Sequence, residues 1–322
     1  MIDEINICGF CKKAKSTVHY PTYDLWENNY TINQCNYCSA YFLAPRPNKA
    51  MLDKAYGADY YGDSDDKFST SGVEKVLDFF RKKRARRISR YLNENNKVLD
   101  VGCGNGKFLL FLLKYGKYEL HGKEMDGNSA KRTARIPEID LKIGMLENED
   151  YPNDTFDAIT LFHVFEHLTN PQETLDIIKK ILKPGGVVIF SFPNIDSFQA
   201  KWFKGKWLHL DSPRHLFFFK PKDFKKLMKE HGFALLEEHY VSSEQNPYGM
   251  VQSILNIWCK KRDILFESMK GNDEYIKEYR GFKLFLQRIF FVFTFPLFVI
   301  TDLITGLLKK GATVEFIFKK ND

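Results

Sequence analysis

The chain opens without the positively charged, apolar run of a secretory leader. Its first residues, MIDEINICGFC, bring acids and cysteines instead, so a cytoplasmic location is expected. Cysteine is scarce, with six in 322 residues. Four of them form two pairs, Cys8-Gly-Phe-Cys11 and Cys35-Asn-Tyr-Cys38, which in a reducing compartment reads as metal binding and not as a disulfide framework. Neither sign of charge dominates: 48 Lys and Arg against 41 Asp and Glu leave +7, a mild excess that does not choose among anionic substrates, nucleic acid and a membrane face. With 44% hydrophobic and 28% charged residues the composition is that of an ordinary globular protein, long enough for one large domain or two to three smaller ones.

The most informative stretch is Lys97 to Gly106, KVLDVGCGNG. A short apolar run, Val98, Leu99 and Val101, breaks into Gly102, Gly104 and Gly106 before a helical pattern from Phe108 to Tyr115. Glycine serves where backbone turns with positive φ or approaches a ligand, and the following helix presents free N–H groups. A nucleotide-like ligand fits such a turn. A second strand, Tyr118 to Lys123, ends at Glu124, where a doubly wound fold places an acid on ribose hydroxyls. The alternation continues with a helix from Asn128 to Arg135, strands 141–144 and 156–162, a helix 171–182 stopped by Lys183-Pro-Gly-Gly, and a strand 187–192. Strands alternating with helices predict a parallel sheet covered on both faces, with ligands at the carboxyl ends of its strands.

DVGCGNG with Glu124, FDAITLFHVFEHL and ILKPGGVVIFSFPN, in this order and spacing, resemble the class I S-adenosylmethionine-dependent methyltransferases over residues 97–240 and the last dozen. The resemblance implies an α/β, Rossmann-like seven-stranded sheet whose last strand is antiparallel. It also implies cofactor contacts from Asp100, Gly102, Cys103, Gly104, Gly106, Glu124, Met145, Leu146, Phe162 and His163. At the position after Leu146 the family's acid is only loosely matched by Glu147.

The cofactor is a sulfonium whose methyl is already activated, so the enzyme aligns acceptor and methyl and removes a proton. Histidine suits that task near neutrality. His163 and His167 lie one turn apart, on one side if residues 163–167 are helical, and His163 is nearer the strand end. A divalent ion held by His163, Glu166, His167 and His215 is the alternative. Beyond the fifth strand, KWFKGKWLHLDSPRHLFFFKPKDF resembles the family's acceptor cover. Trp202, Trp207, Phe217 and Phe218 are expected to floor a pocket, and Arg214 and His215 to face the acceptor, with His215 a second base candidate. The competing expectation is that Asp211 and Arg214 form an ion pair anchoring the loop.

Four thiolates from Cys8, Cys11, Cys35 and Cys38 satisfy tetrahedral zinc with no position left for water, the pattern of a structural site. Pro45, Pro47 and the cluster Tyr56, Tyr60 and Tyr61 mark a connector resembling the one that follows a zinc ribbon in bacterial methyltransferases acting on sugars, lipids and small metabolites. Residues 72–92 have helical spacing, with Val73, Val76 and Ile88 among the apolar positions. Arg81, Lys82, Lys83, Arg84, Arg86, Arg87 and Arg90 line the opposite face, read as solvated or as gripping phosphates.

Residues 233–241 and 311–319 read as strands, and the resemblance implies that they form an antiparallel pair at the sheet edge, which makes 243–310 an insertion between neighbours. Within it Ile289 to Leu308 carries one charge, Asp302, and is long enough to span a bilayer. Both flanking strands lie in one sheet, so a single crossing cannot return the chain. What remains is a hairpin divided at Pro296, or a continuous amphipathic helix turning Lys283, Gln287, Thr294, Thr301 and Thr305 to water. Peripheral membrane contact through 284–308, with Lys309 and Lys310 on anionic headgroups, competes with a cover packed on the domain or on a dimer partner. The organisation expected is ribbon 1–48, connector and basic helix 49–96, methyltransferase domain 97–242 with 311–322, and insertion 243–310.

The function these features imply is methyl transfer from S-adenosylmethionine to a small-molecule or lipid-linked acceptor, at a hydroxyl of a sugar or quinone-like compound. Alternatives are methylation of a sugar carbon, methylation of RNA, or a non-catalytic scaffold. RNA is disfavoured because no NPPY-type segment and no RNA-binding domain are present.

Overall fold

The computed structural model describes residues 7–57 and 71–322. Tyr60 and Tyr61 of the aromatic cluster, and the side chain of Val73, lie outside this description.

Strands β1 (Ser16–Tyr23), β2 (Asn29–Cys35) and β3 (Tyr41–Ala44) form an antiparallel meander. Helix α1 (Lys49–Ala55), capped by the Asn48 side chain, leads on to α2 (Ser71–Ile88). The alternating part then runs β4 (Lys97–Val101), α3 (Lys107–Leu112), β5 (Glu119–Glu124), α4 (Asn128–Thr133), β6 (Ile139–Ile143), β7 (Phe156–Phe162), α5 (Pro171–Ile181) and β8 (Leu182–Pro193). Next come α6 (Phe198–Phe203), the two-residue β9 (Phe217–Phe218), α7 (Pro221–Glu230) and β10 (Phe233–His239). The insertion holds α8 (Asn246–Trp258), α9 (Ile264–Lys270), α10 (Asp273–Ile276) and α11 (Phe282–Leu307), and β11 (Thr313–Lys320) closes the fold.

The main sheet has seven strands in the order β10-β11-β8-β7-β4-β5-β6. Only β11 runs against its neighbours, as expected of the last strand. Alternate side chains enter two cores, because successive strand residues point to opposite faces. Leu99, Ile159, Phe190 and Phe316 pack with Leu175, Ile178 and Phe224 of α5 and α7 on one face. Val98, Ala158, Ile189 and Ile317 pack with Ala85, Ile88, Leu109 and Leu112 of α2 and α3 on the other.

Two local expectations change. β8 begins at Leu182, directly after α5, because Leu182 pairs with Phe156 while Val187 pairs with Ala158. Lys183 to Gly186 is thus an irregular segment carried within the strand, not a loop before it. The aromatic segment after β8 does not form one pocket floor: Trp207 and Phe218 are core residues, Trp202 is exposed, and Phe217, itself buried, lines a small cavity of about 20 Å³ with Gly9 and Arg46.

The insertion helix α11 is continuous through Pro296, so the hairpin is excluded. Its expected polar stripe does not face water as a whole: Lys283 is exposed, Thr294, Thr301 and Thr305 are half-buried and Gln287 is buried. Gln287 and Asp302 are buried against the domain, while Phe285, Val292, Phe293, Leu297 and Leu307 are exposed. The inward side is fixed by Asn246, whose Nδ2 donates to Asp302 Oδ1 at 2.7 Å, and by Gly306, where a Cβ would lie 2.3 Å from Val241 Cγ2.

Candidate active site

The glycine turn holds three residues in the left-handed region, Gly102 (φ 73°), Gly104 (φ 58°) and Gly106 (φ 72°), where side chains are strained. The three differ in what surrounds them. A Cβ on Gly102 would lie 2.3 Å from Val164 Cγ2 and one on Gly106 2.8 Å from Ile139 Cδ1, so these two serve close packing. Gly104 has nothing within 4 Å of that position. The backbone there opens onto space that a ligand can enter. The Gly104 N–H donates to Glu124 Oε2 at 2.6 Å, which fixes the carboxylate at the end of β5. This open cradle with an acid at its rim fits the ribose and amino acid parts of S-adenosylmethionine.

The remaining expected cofactor residues divide into liners and supports. Asp100 is buried and accepts from Thr160 Oγ1 at 2.6 Å, and burial pushes its carboxyl up to about 7. Cys103 turns its sulfur inward, beside Gly122, so it contributes backbone. Leu146 is part of the core, whereas Met145 is exposed beside Gly144. Phe162 packs edge-on against Phe108 at 4.9 Å, with the Arg84 guanidinium 5.2 Å from its centroid.

At the end of β7 the chain does not enter a helix at His163. This residue sits at φ 55°, and the 3-10 turn begins only at Phe165. His163 and His167 therefore do not share a side, and the one-turn spacing misleads. His163 Nδ1 lies 3.2 Å from Glu166 Oε1 and its Nε2 3.0 Å from Ser191 Oγ, at the end of β8. Burial opposes the charge of Glu166, but the hydrogen bond from His163 and the neighbouring histidines outweigh it and hold the carboxyl below its usual range. An ionised carboxylate only accepts, so Nδ1 carries the proton and Nε2 is the basic nitrogen. A histidine in a sparsely populated backbone region, clamped on both ring nitrogens, is the kind of strain that collects at functional sites.

His167 belongs to a second layer behind it. Its Nδ1 lies 2.8 Å from Tyr56 Oη and 3.1 Å from Arg214 O, and its ring meets that of His215 at 4.5 Å. His215 donates from Nδ1 to His209 O at 2.8 Å. Desolvation and the nearby His215 lower His167 to about 3, and desolvation with His163 and His215 lowers His209 to about 3, so both rings are neutral. Arg214 is buried in a two-pronged pair with Asp211 and donates from Nη1 to Ala55 O at 3.2 Å. Burial raises the Asp211 carboxyl, but Arg214 and His215 outweigh it and hold it well below the usual range. The structure thus places Arg214 and His215 inside the fold, holding the loop, and leaves His163 at the surface of the site. Glu166, His167 and His215 each offer one ligand atom within 4.8 Å of the others, a set whose donors suit a divalent ion.

His163 and Ser191 line a cavity of about 60 Å³ that also touches Lys83, Arg84, Arg87, Glu244, Glu315 and the segment 241–243. Here the basic face of α2 has its use. Arg84 pairs with Glu244, Arg87 with Glu315 and Arg81 with Glu74 at 2.9 Å, and Arg90, in the 3-10 turn that follows the helix, with Glu237 at 3.1 Å. Four of the seven basic residues are thereby joined to acids of this chain, and two of them wall the cavity. Sequence reasoning missed Ser191 and the arginine walls. The strand-end rule could have found Ser191, since it lies one residue from the carboxyl end region already named, whereas the partners of Arg84 and Arg87 come from elements more than 150 residues away.

In the ribbon, Cys8 Sγ is 3.7 Å from Cys38 Sγ and Cys11 Sγ 3.5 Å from Cys35 Sγ, and all four lie within 4.8 Å of one another. Tetrahedral zinc with Zn–S of about 2.3 Å separates its sulfurs by about 3.8 Å. The donor set fits. The meander is not separate from the site, because β9 adds to it as a fourth strand, with Tyr41 opposite Phe218 and Phe42 opposite Phe217. His215 is two residues before β9.

Comparison with known proteins gives the same picture. A family model described as a methyltransferase domain matches residues 74–238. A ubiquinone biosynthesis O-methyltransferase of Coxiella burnetii (strain Dugway 5J108-111) is 29% identical over 154 residues, which cover 46% of this chain and 65% of that protein. Another protein of that name, from Alkalilimnicola ehrlichii, is 31% identical over 108 residues, 31% of this chain and 43% of the relative. The chain thus spans less than two thirds of the length of these relatives. A methyltransferase structure from Galdieria sulphuraria superposes with a TM-score of 0.50 at 16% identity, covering 84% of this chain and 98% of the other, which shows the fold.

Proposed function

This chain belongs to the class I S-adenosylmethionine-dependent methyltransferases, and on that premise we propose that it methylates a hydroxyl of a small-molecule acceptor with His163 as general base. The observation that carries the proposal is His163 at the end of β7, held through Nδ1 by buried Glu166 and presenting Nε2 to the cavity beside Ser191. Bound S-adenosylmethionine supplies an activated methyl group. The residues proposed to hold it are the backbone of Gly102, Cys103, Gly104 and Gly106, the Glu124 carboxylate, Met145, and the walls formed by Leu146, Phe162 and Asp100. Ser191 and the walls of the cavity orient the acceptor hydroxyl toward His163. When the acceptor oxygen takes the methyl group, whose bond to sulfur breaks to leave neutral S-adenosylhomocysteine, Nε2 would take the hydroxyl proton and Glu166 would stabilise the resulting imidazolium, a role that contributes about 10²–10⁴ in rate for a positioned base. Arg214 and His215 are positioning residues in this reading: they fix the loop that packs behind Glu166.

The four cysteines are proposed to hold structural zinc. The four-part organisation 1–48, 49–96, 97–242 with 311–322, and 243–310 belongs to the same reading. So does a lipid-linked acceptor, met by a protein that works as a peripheral component of a membrane face. The names of the Coxiella and Alkalilimnicola relatives support oxygen as the acceptor atom.

Titration calorimetry with S-adenosylhomocysteine tests the cofactor cradle. One site per chain is expected. Gly104→Val should weaken binding at least tenfold, because a side chain in the left-handed region costs about 1–3 kcal/mol and fills the open cradle. Equal affinity in the variant would place the cofactor elsewhere.

A further inference from the structure

We propose that α11 is an interfacial helix that lies in the headgroup layer of an anionic bilayer, apolar face down, and sets the acceptor cavity at the membrane surface. The docking itself stands on the helix; the delivery of an amphiphilic acceptor rests on the methyl-transfer reading above.

The helix has 26 residues, and its apolar window has a mean hydropathy of 2.0 with 11% of that window buried in the protein. At about 1.5 Å per residue it is roughly 39 Å long. The exposed side chains recur at helical spacing, among them Phe285, Ile289, Val292, Phe293, Ile300 and Leu307, with Phe293 78% and Leu307 83% exposed. A patch of this length on a monomer marks an interaction surface.

Several features select lipid as the occupant. The hydroxyls of Thr294, Thr301 and Thr305 donate to the carbonyls of Phe290, Leu297 and Thr301 at 2.7, 3.1 and 2.8 Å, so none requires water. The helix's one acid, Asp302, is buried, and its exposed charges are Lys283 and Arg288 in its N-terminal part, while Lys309 and Lys310 beyond its end pair with Glu238 and Asp196. Exposed cations beside an apolar stripe complement anionic headgroups. Trp258, 68% exposed, packs on Phe290, and Trp202, 66% exposed, stands on α6, whose first residue Phe198 donates to Lys310 O at 3.1 Å. Exposed tryptophans beside a membrane-facing helix suit the interfacial layer. The helix cannot leave the domain to cross the bilayer, since Gln287 and Asp302 anchor its other side and β11 returns the chain to the sheet.

The helix also reaches the site. Gly306 seats Val241, and Val241, Ser242 and Ser243 are part of the cavity wall that faces His163. An acceptor with an apolar tail can remain in the bilayer while its hydroxyl-bearing head enters there.

The test is co-sedimentation of the full chain with vesicles of phosphatidylcholine alone or mixed with phosphatidylglycerol, with Phe293→Asp/Leu297→Asp as the variant. Binding to the anionic vesicles, reduced at least tenfold in the variant and weakened by salt, is the expected result. No vesicle binding, or binding unchanged in the variant, overturns the proposal, as does a dimer that the variant dissociates without any vesicle binding. Both side chains are exposed and outside the core, and S-adenosylhomocysteine affinity measured on the same samples reports on the fold and on the methyl-transfer reading separately.

Discussion

Replacing His163 by Asn should lower kcat by about 10²–10⁴ while leaving S-adenosylhomocysteine affinity unchanged. Asn is the informative choice because the residue sits at φ 55°, a region Asn enters more readily than other side chains. Ala at this position would mix backbone strain with loss of the base. The effect is large because few other nitrogens can take the proton: His167 and His209 are turned inward and lowered to about 3, and His239, which also lines the cavity, is engaged through Nε2 with Glu237 at 2.7 Å. Single-turnover methyl transfer measures it. A kcat within threefold of the parent would remove His163 from the chemistry. Glu166→Gln should act through His163 and move the acidic limb of the pH–rate profile, a readout that simple loss of packing would leave in place.

Removing zinc should have a comparably large effect despite the distance of the ribbon from the chemistry. Structural zinc contributes about 10–16 kcal/mol of apparent binding free energy in small zinc modules, more than the net stability of most domains. The four sulfurs already stand at 3.5–3.7 Å in pairs, so the metal is the expected organiser of the meander. Loss of the meander removes the partner of β9, and β9 continues directly from the loop on which Arg214 and His215 sit. Cys35→Ser, at a buried ligand, is therefore expected to abolish bound zinc, lower the thermal midpoint and reduce methyl transfer together. Elemental analysis gives the metal content without relying on activity. One zinc per chain in the parent and none in the variant is the predicted result; a parent chain free of zinc with all four thiols reduced would contradict it.

These expectations also show where the sequence was legible. The strands were, because the apolar runs of Val98–Val101, Phe156–Phe162 and Val187–Phe192 report burial, and so was the glycine turn, whereas the opening at Gly104 was not, since Gly102 and Gly106 share its positive φ but are closely packed. The direction of His163 was not. A single left-handed residue breaks the helical spacing on which the pairing with His167 rests, and no local pattern announces it. The sense of α11 was misjudged for a different reason: a polar stripe defines two faces but not which one meets protein. Here Asn246 and Gly306 decide it, one from 56 residues away. The basic run on α2 shows the same limit, since the acids that pair Arg84 and Arg87 lie on the insertion boundary and the last strand.

The most direct measurement is transfer from S-adenosylmethionine carrying a deuterated methyl group to a panel of hydroxylated acceptors, sugar and quinone-like, dispersed in anionic vesicles. The account predicts a product bearing one labelled methyl on oxygen, formed by the parent and not by His163→Asn. A labelled methyl on carbon, or no transfer by a protein that binds S-adenosylhomocysteine, would contradict it.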